Sequence, residues 1–183
     1  MTRRKGPIAV LDACVLAPMP VADTLLRMAE PPALYEPRWT DEILAEVTRT
    51  LVVRFGKKPE NARYRETAMR EFFPDALVNG YESLAGSMTN DPKDRHVFAA
   101  AVACQADCLV TFNLKHFPRQ SAGAHGLTIL GPSTFLRQLL ATNRTVVEER
   151  LCDQAKTIGI PPDDLLNRLA GVVPAFVTQL RKR

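Results

Sequence analysis

The sequence holds no CxxC pair, no G-x-G-x-x-G or Walker A loop, and a single tryptophan. Each absence removes a class of protein. The four cysteines, Cys14, Cys104, Cys108 and Cys152, are scattered and have no histidine at zinc-finger spacing, which argues against a zinc site. They read as free, mostly buried thiols, Cys14 at a strand end and Cys104 on a helix, in a reducing cytoplasm. Without a glycine-rich phosphate loop, a nucleotide binder has no cradle for its phosphates. No apolar run approaches membrane-spanning length, and the basic start leads into too short an apolar stretch for a signal peptide. The expected setting is the cytoplasm, away from membranes.

What is present is an ordinary globular composition in 183 residues, 46% hydrophobic and 24% charged, enough for one domain with a small extension. Net charge is +4 and the pI is near 9.0, which permits a polyanionic partner without naming one. Part of that charge is terminal, in Arg3, Arg4 and Lys5 and again in Arg181, Lys182 and Arg183.

Short apolar runs alternate with helical patterns. Residues 7–11, 33–36, 107–111 and 127–130 read as strands, with a further one near 76–79. Pro37 is taken to stop the second. Helices are expected over 20–30, 40–55 with Thr40 as cap, 60–73, 81–87, 92–105 and 132–140. Residues 117–126 read as a loop. The alternation predicts an α/β fold: three α/β/α layers around a mostly parallel sheet of four to five strands. Residues 144–183 change character and read as two or three short helices, divided at Gly159 and Pro161-Pro162. The expected organisation is a unit over 1–143 and a C-terminal helical extension over 144–183.

The chemistry concentrates around Asp91-Pro92-Lys93-Asp94-Arg95-His96-Val97-Phe98-Ala99-Ala100-Ala101. Asp91 reads first as a helix N-cap, with Pro92 as the first helical residue and Asp94 as the third. A capping role explains Asp91 more readily than Asp94. Asp12 closes the first strand, where open α/β sheets place their ligands. Glu46 falls at the rim of an apolar stripe formed by Ile43, Leu44, Val47 and Leu51, while Glu42 points further away. Asn113 follows the strand at 107–111. A parallel sheet gathers Asp12, Asp94 and Asn113 at its carboxyl edge. Two carboxylates 4 Å apart at an effective dielectric near 20 repel by roughly 4 kcal/mol. Protons or a divalent cation must answer that, and an all-oxygen set suits Mg²⁺ or Mn²⁺. Such an ion can activate water and grip phosphate oxygens, which points to phosphodiester hydrolysis.

Val10-Leu11-Asp12-Ala13, Glu46-Val47, the block from Asp91 to Ala101, and Leu109-Val110-Thr111-Phe112-Asn113-Leu114-Lys115-His116-Phe117-Pro118 together resemble a PIN domain. Pro132-Ser133-Thr134-Phe135-Leu136 resembles that family's closing helix, so the likeness covers about 7–140. The resemblance implies a metal-dependent endoribonuclease for single-stranded RNA. It also implies the toxin of a toxin–antitoxin pair, since many small bacterial members are VapC-type toxins held by an antitoxin protein. Such toxins are often homodimers. Asp12 and Asp94 match the family's central metal-binding aspartates and Glu46 its helix glutamate. Asn113 stands where many members carry a fourth aspartate and brings an oxygen without charge. Asp91 is a weaker candidate ligand. His116 replaces a frequent acid and is given no catalytic role. Thr111 is placed to bond a carboxylate or an ion's water, or merely to favour the strand. Arg95, Lys115 and Arg119 are candidate guides for an RNA backbone. The competing reading is a PIN-like RNA- or protein-binding module with little turnover, favoured by the neutral Asn113.

Overall fold

The structure is a computed structural model describing residues 6–182, with Arg119 described in its backbone only. The basic residues Arg3, Arg4, Lys5 and Arg183 lie outside it. Its centre is a four-stranded parallel sheet in the order β2-β1-β3-β4. The strands are β1 (Ile8–Leu11), β2 (Glu36–Arg38), β3 (Cys108–Val110) and β4 (Thr128–Leu130). β1 is central, and Ala9, Val10 and Leu11 are fully buried, which is why its sequence is apolar without alternation. Leu11 pairs with Val110 and Val110 with Leu130, so the carboxyl ends of three strands finish level.

β2 departs from expectation. It runs through Pro37 instead of stopping there, and it starts three residues later than residues 33–36 would place it. The reason is geometric. Glu36 N–H donates to Pro7 O toward β1, so the next nitrogen in the strand faces outward. Proline lacks only that outward donor and costs the sheet nothing. Beyond it, Trp39 N–H donates to Ala76 O and Val78 N–H to Trp39 O. The strand expected near 76–79 is thus reduced to one parallel bridge, Trp39 to Leu77, after a 3₁₀ turn at Pro74–Ala76.

The flanking helices are α1 (Ala13–Leu16), α2 (Val21–Ala29), α3 (Asp41–Val53), α4 (Pro59–Phe72), α5 (Glu82–Ala85), α6 (Arg95–Ala103), α7 (Arg119–Gly123) and α8 (Pro132–Thr142). Thr40 caps α3 by accepting from Ile43 N–H at 3.1 Å. α6 lies on β1 and β3 and buries every residue from His96 to Ala101. Its alanines let helix and sheet approach closely. Two short helices fall where none was expected. α1 puts Cys14 on a helix rather than at a strand end, and α7 occupies the supposed loop at 117–126. Cys104 is the C-cap residue of α6, just past its last helical turn. Only Cys108 is fully buried; Cys14 and Cys104 are half-buried and Cys152 is exposed.

Residues beyond 143 form α9 (Arg144–Thr157), α10 (Pro162–Ala170) and α11 (Pro174–Arg181). α9 packs on α2, and α11 packs on α8. Thr24 Oγ1 on α2 donates to Gln154 Oε1 on α9 at 2.8 Å, and both side chains are buried. Gln154 Nε2 in turn donates to Pro20 O at 3.1 Å. Phe176 N–H is held by Ser133 Oγ at 3.1 Å. Leu165, Leu169, Val173 and Phe176 are fully buried in the same apolar cluster as β1. Among the described residues, no helix is long and apolar enough to cross a membrane.

Candidate metal centre

A cleft of about 610 Å³ opens at the carboxyl edge of the sheet, and Asp12, Glu46, Asp94 and Asn113 all line it. Each arrives from a different element. Asp12 follows β1 directly, and its N–H donates to Val110 O at 3.1 Å, which seats it beside the end of β3. Thr111 Oγ1 then donates to Asp12 Oδ2 at 2.6 Å. Cys14 Sγ donates to the same oxygen at 3.1 Å and also lies 3.3 Å from Thr111 Oγ1. The sulfur accepts Phe112 N–H at 3.2 Å, and Thr111 Oγ1 accepts Asn113 N–H at 2.9 Å. Asp12 is therefore oriented by a fixed hydroxyl and a fixed thiol that hold its Oδ2. Burial, with the Asp12 charge beside it, pushes the Cys14 thiol up to about 12.

Asp94 enters differently from the expected third position of an α-helix. Pro92–Asp94 form a 3₁₀ turn, which Asp91 caps by accepting from Lys93 N–H at 3.1 Å. Asp94 then occupies the N-cap position of α6 without capping it, so its carboxylate is not tied to its own backbone. His116 Nδ1 sits 2.6 Å from Asp94 Oδ2. The ligand atoms of Asp91, Asp94 and His116 lie within 4.8 Å of one another.

Glu46 is half-buried on α3. Burial raises its pKa above the ordinary value of 4.5; nearby His96 opposes that, while Asp12, Glu42 and Asp94 reinforce it. His96 is buried at the start of α6, with Nε2 3.5 Å from Glu46 Oε1 and Nδ1 3.9 Å from Glu42 Oε1. Glu42 stays mostly exposed and accepts from Tyr81 Oη at 3.4 Å. Three carboxylates thus feel one another across one cleft, with an amide oxygen beside them. That is the donor chemistry of a hard divalent ion.

Two of the three expected basic guides do not line the cleft. Arg49 and Arg54 on and just after α3 line it, and Arg95 and Lys115 do not. Arg95 Nε turns back to Asn90 O at 3.4 Å. The Arg119 side chain lies outside the described residues. His116 and His96, the first given no role and the second unnoticed, both face acids of the cleft. Their signal was in the sequence only as histidines next to acidic motifs, which is too common a pattern to select them. Val172, between α10 and α11, also reaches the cleft wall.

Sheet order, the acid-lined carboxyl edge and the hydroxyl clamp on the strand-end aspartate agree with residues 9–115 matching the PIN domain family, and the chain belongs to it. Within that family, the chain is 34% identical over 110 residues to a Mycobacterium tuberculosis protein named "Putative ribonuclease VapC50". The match takes in 58% of this chain and 65% of that relative, so the chain covers less than two-thirds of the relative's length. No solved structure matches significantly.

Proposed function

We propose that this protein is a divalent-metal-dependent endoribonuclease that hydrolyses phosphodiester bonds of single-stranded RNA, acting in the cytoplasm as the toxin of a toxin–antitoxin pair. The observation that carries the reading is the convergence of Asp12, Glu46, Asp94 and Asn113 on one cleft that also holds Arg49 and Arg54. Family membership and the likeness to a protein named as a ribonuclease support it.

In this reading Asp12, Asp94 and Glu46 hold Mg²⁺ or Mn²⁺, with Asn113 as a neutral oxygen and Asp91 further out. The ion would offset the clustered negative charge and bind phosphate oxygens. The chain's own groups do the rest. Thr111 and Cys14 keep Asp12 in one rotamer. Glu46 would complete the ion's shell, directly or through a water. Arg49 and Arg54 would neutralise phosphates of the strand along the α3 side of the cleft. Residues 1–143 form the nuclease unit, and 144–183 a helical extension that braces it. An antitoxin protein and a second copy of the chain are the proposed protein partners.

Asn113 favours one second reading, a PIN-like module that binds RNA or protein with little turnover, because one charge of the ligand set is missing. A cleavage assay decides between them. Wild-type protein with Mn²⁺ should cut single-stranded RNA, and Asp12→Asn and Asp94→Asn should not. Equal outcomes for all three proteins would remove the nuclease reading.

A further inference from the structure

Of the eight phenylalanines in this chain, Phe72 and Phe73 lie away from the acid cleft, Phe72 being 76% exposed and Phe73 partly buried. Phe98, Phe117, Phe135 and Phe176 are at most 1% exposed and belong to the core. Phe55 is 41% and Phe112 40% exposed, and both line the cleft that holds the acids. Two large apolar rings beside a charged cleft thus keep a substantial part of their surface open to water in the free protein.

Their backbones are well placed. Phe112 directly follows Thr111, and its N–H is bound to Cys14 Sγ at 3.2 Å. The same network that orients Asp12 therefore sets where this ring sits relative to the acids. Phe55 ends the α3 side of the cleft, and the Arg54 guanidinium lies 5.9 Å over its ring. A cation thus lies over one ring, and the other follows Thr111 and precedes Asn113 beside the cleft that Asp12 and Asp94 line. An aromatic face offers every base a stacking surface regardless of its hydrogen-bonding edge, and cations beside it serve the backbone.

From this, we infer that Phe112 and Phe55 are base-stacking residues, which hold unpaired nucleotides of the RNA against the cleft so that the bond between or beside them meets the acids. The inference rests on the nuclease reading and deepens it. A duplex keeps its bases stacked on one another and cannot use the rings, so the rings select single strands. Because stacking reads no base edge, the cleft distinguishes strandedness more than sequence.

The test uses the full chain carrying Asp94→Asn, to slow turnover, with Mg²⁺ and a fluorescent single-stranded uridine oligonucleotide. Phe112→Ala and Phe55→Ala should each weaken binding roughly tenfold, and Phe112→Tyr and Phe55→Tyr should restore it. An oligonucleotide with abasic sites should bind the parent as weakly as the normal one binds the double alanine variant. Melting curves matching the parent's establish that the variants fold. Binding within about twofold of the parent in the alanine variants, or full binding of the abasic probe, overturns the inference alone. Failure of the parent to bind the probe, together with failure of wild type to cut RNA, overturns the nuclease reading and this inference with it.

Discussion

Thr111 and Asp12, ninety-nine positions apart in the chain, share a 2.6 Å hydrogen bond at the floor of the cleft. The bond exists because β1 and β3 are neighbours that end level, with Leu11 opposite Val110. It joins the one fully buried hydroxyl at the edge of β3 to the most buried acid of the site.

Thr111→Val keeps the shape and removes the donor. A hydrogen bond to a charged group contributes about 1.5–3 kcal/mol, and losing a group that orients a metal ligand costs about 10–100-fold in metal affinity or activity. RNA cleavage at a fixed Mn²⁺ concentration should fall within that range, with Thr111→Ser near wild type. Unchanged cleavage in Thr111→Val would show that Asp12 needs no such clamp.

Divalent ions should stabilise the fold. At an ion concentration 100 times the dissociation constant the gain is about 2.7 kcal/mol, worth about 5–10 °C in a domain of this size. Calorimetry with Mn²⁺ should show that shift in wild type and lose most of it in Asp12→Asn and Asp94→Asn.

Glu46 gives a pH dependence with a definite sign. Its folded pKa is raised above 4.5, chiefly by burial, so the folded state prefers the neutral acid. Its ionised form therefore lowers stability at neutral pH, and that loss vanishes as pH falls below the unfolded value. Without metal, Glu46→Gln should melt higher than wild type at pH 7, and the difference should close near pH 4. With Mn²⁺ the order should reverse, because glutamine gives up a charged ligand.

The buried pair between α2 and α9 is open to a double-mutant test. Thr24→Val leaves Gln154 Oε1 without its donor, and Gln154→Leu removes the acceptor. Each should cost about 1–3 kcal/mol by denaturant unfolding, whereas the double variant should cost clearly less than their sum. Strict additivity would mean the two side chains are energetically independent.

The thiols should separate by reactivity. Cys152 is exposed, and Cys14 is held largely protonated with its pKa pushed up to about 12. Only the thiolate attacks a maleimide, so native protein at pH 8 should be labelled at Cys152 well before Cys14. Mass spectrometry of peptides after brief labelling reads this directly.

Much of the architecture could be read from local pattern. Ile8 to Leu11 is apolar on every residue because β1 is covered on both sides, and Thr40 announces α3 through a cap that forms. The positions of Asp12, Asn113 and Glu46 followed from strand ends and helical phase. The misreadings have physical causes. Pro37 reads as a stop because a sequence does not show which side of a strand its missing donor faces. The four residues of α1 are too few to display helical phase. The closeness of His116 to Asp94 depends on how the 3₁₀ turns at Pro92–Asp94 and Leu114–His116 meet, a matter of tertiary packing. Arg49 and Arg54 look like any surface arginines until α3 is placed against the sheet edge.

Synthesis order adds a consequence to the contact between Thr24 and Gln154. As the polypeptide leaves the ribosome, α2 emerges with a polar atom whose mate is still 130 codons away. The nascent molecule must carry that face uncovered until α9 is translated, and with it an incomplete cleft wall until Val172 follows. A growing chain of this kind closes its cleft wall only once α11 can pack on α8.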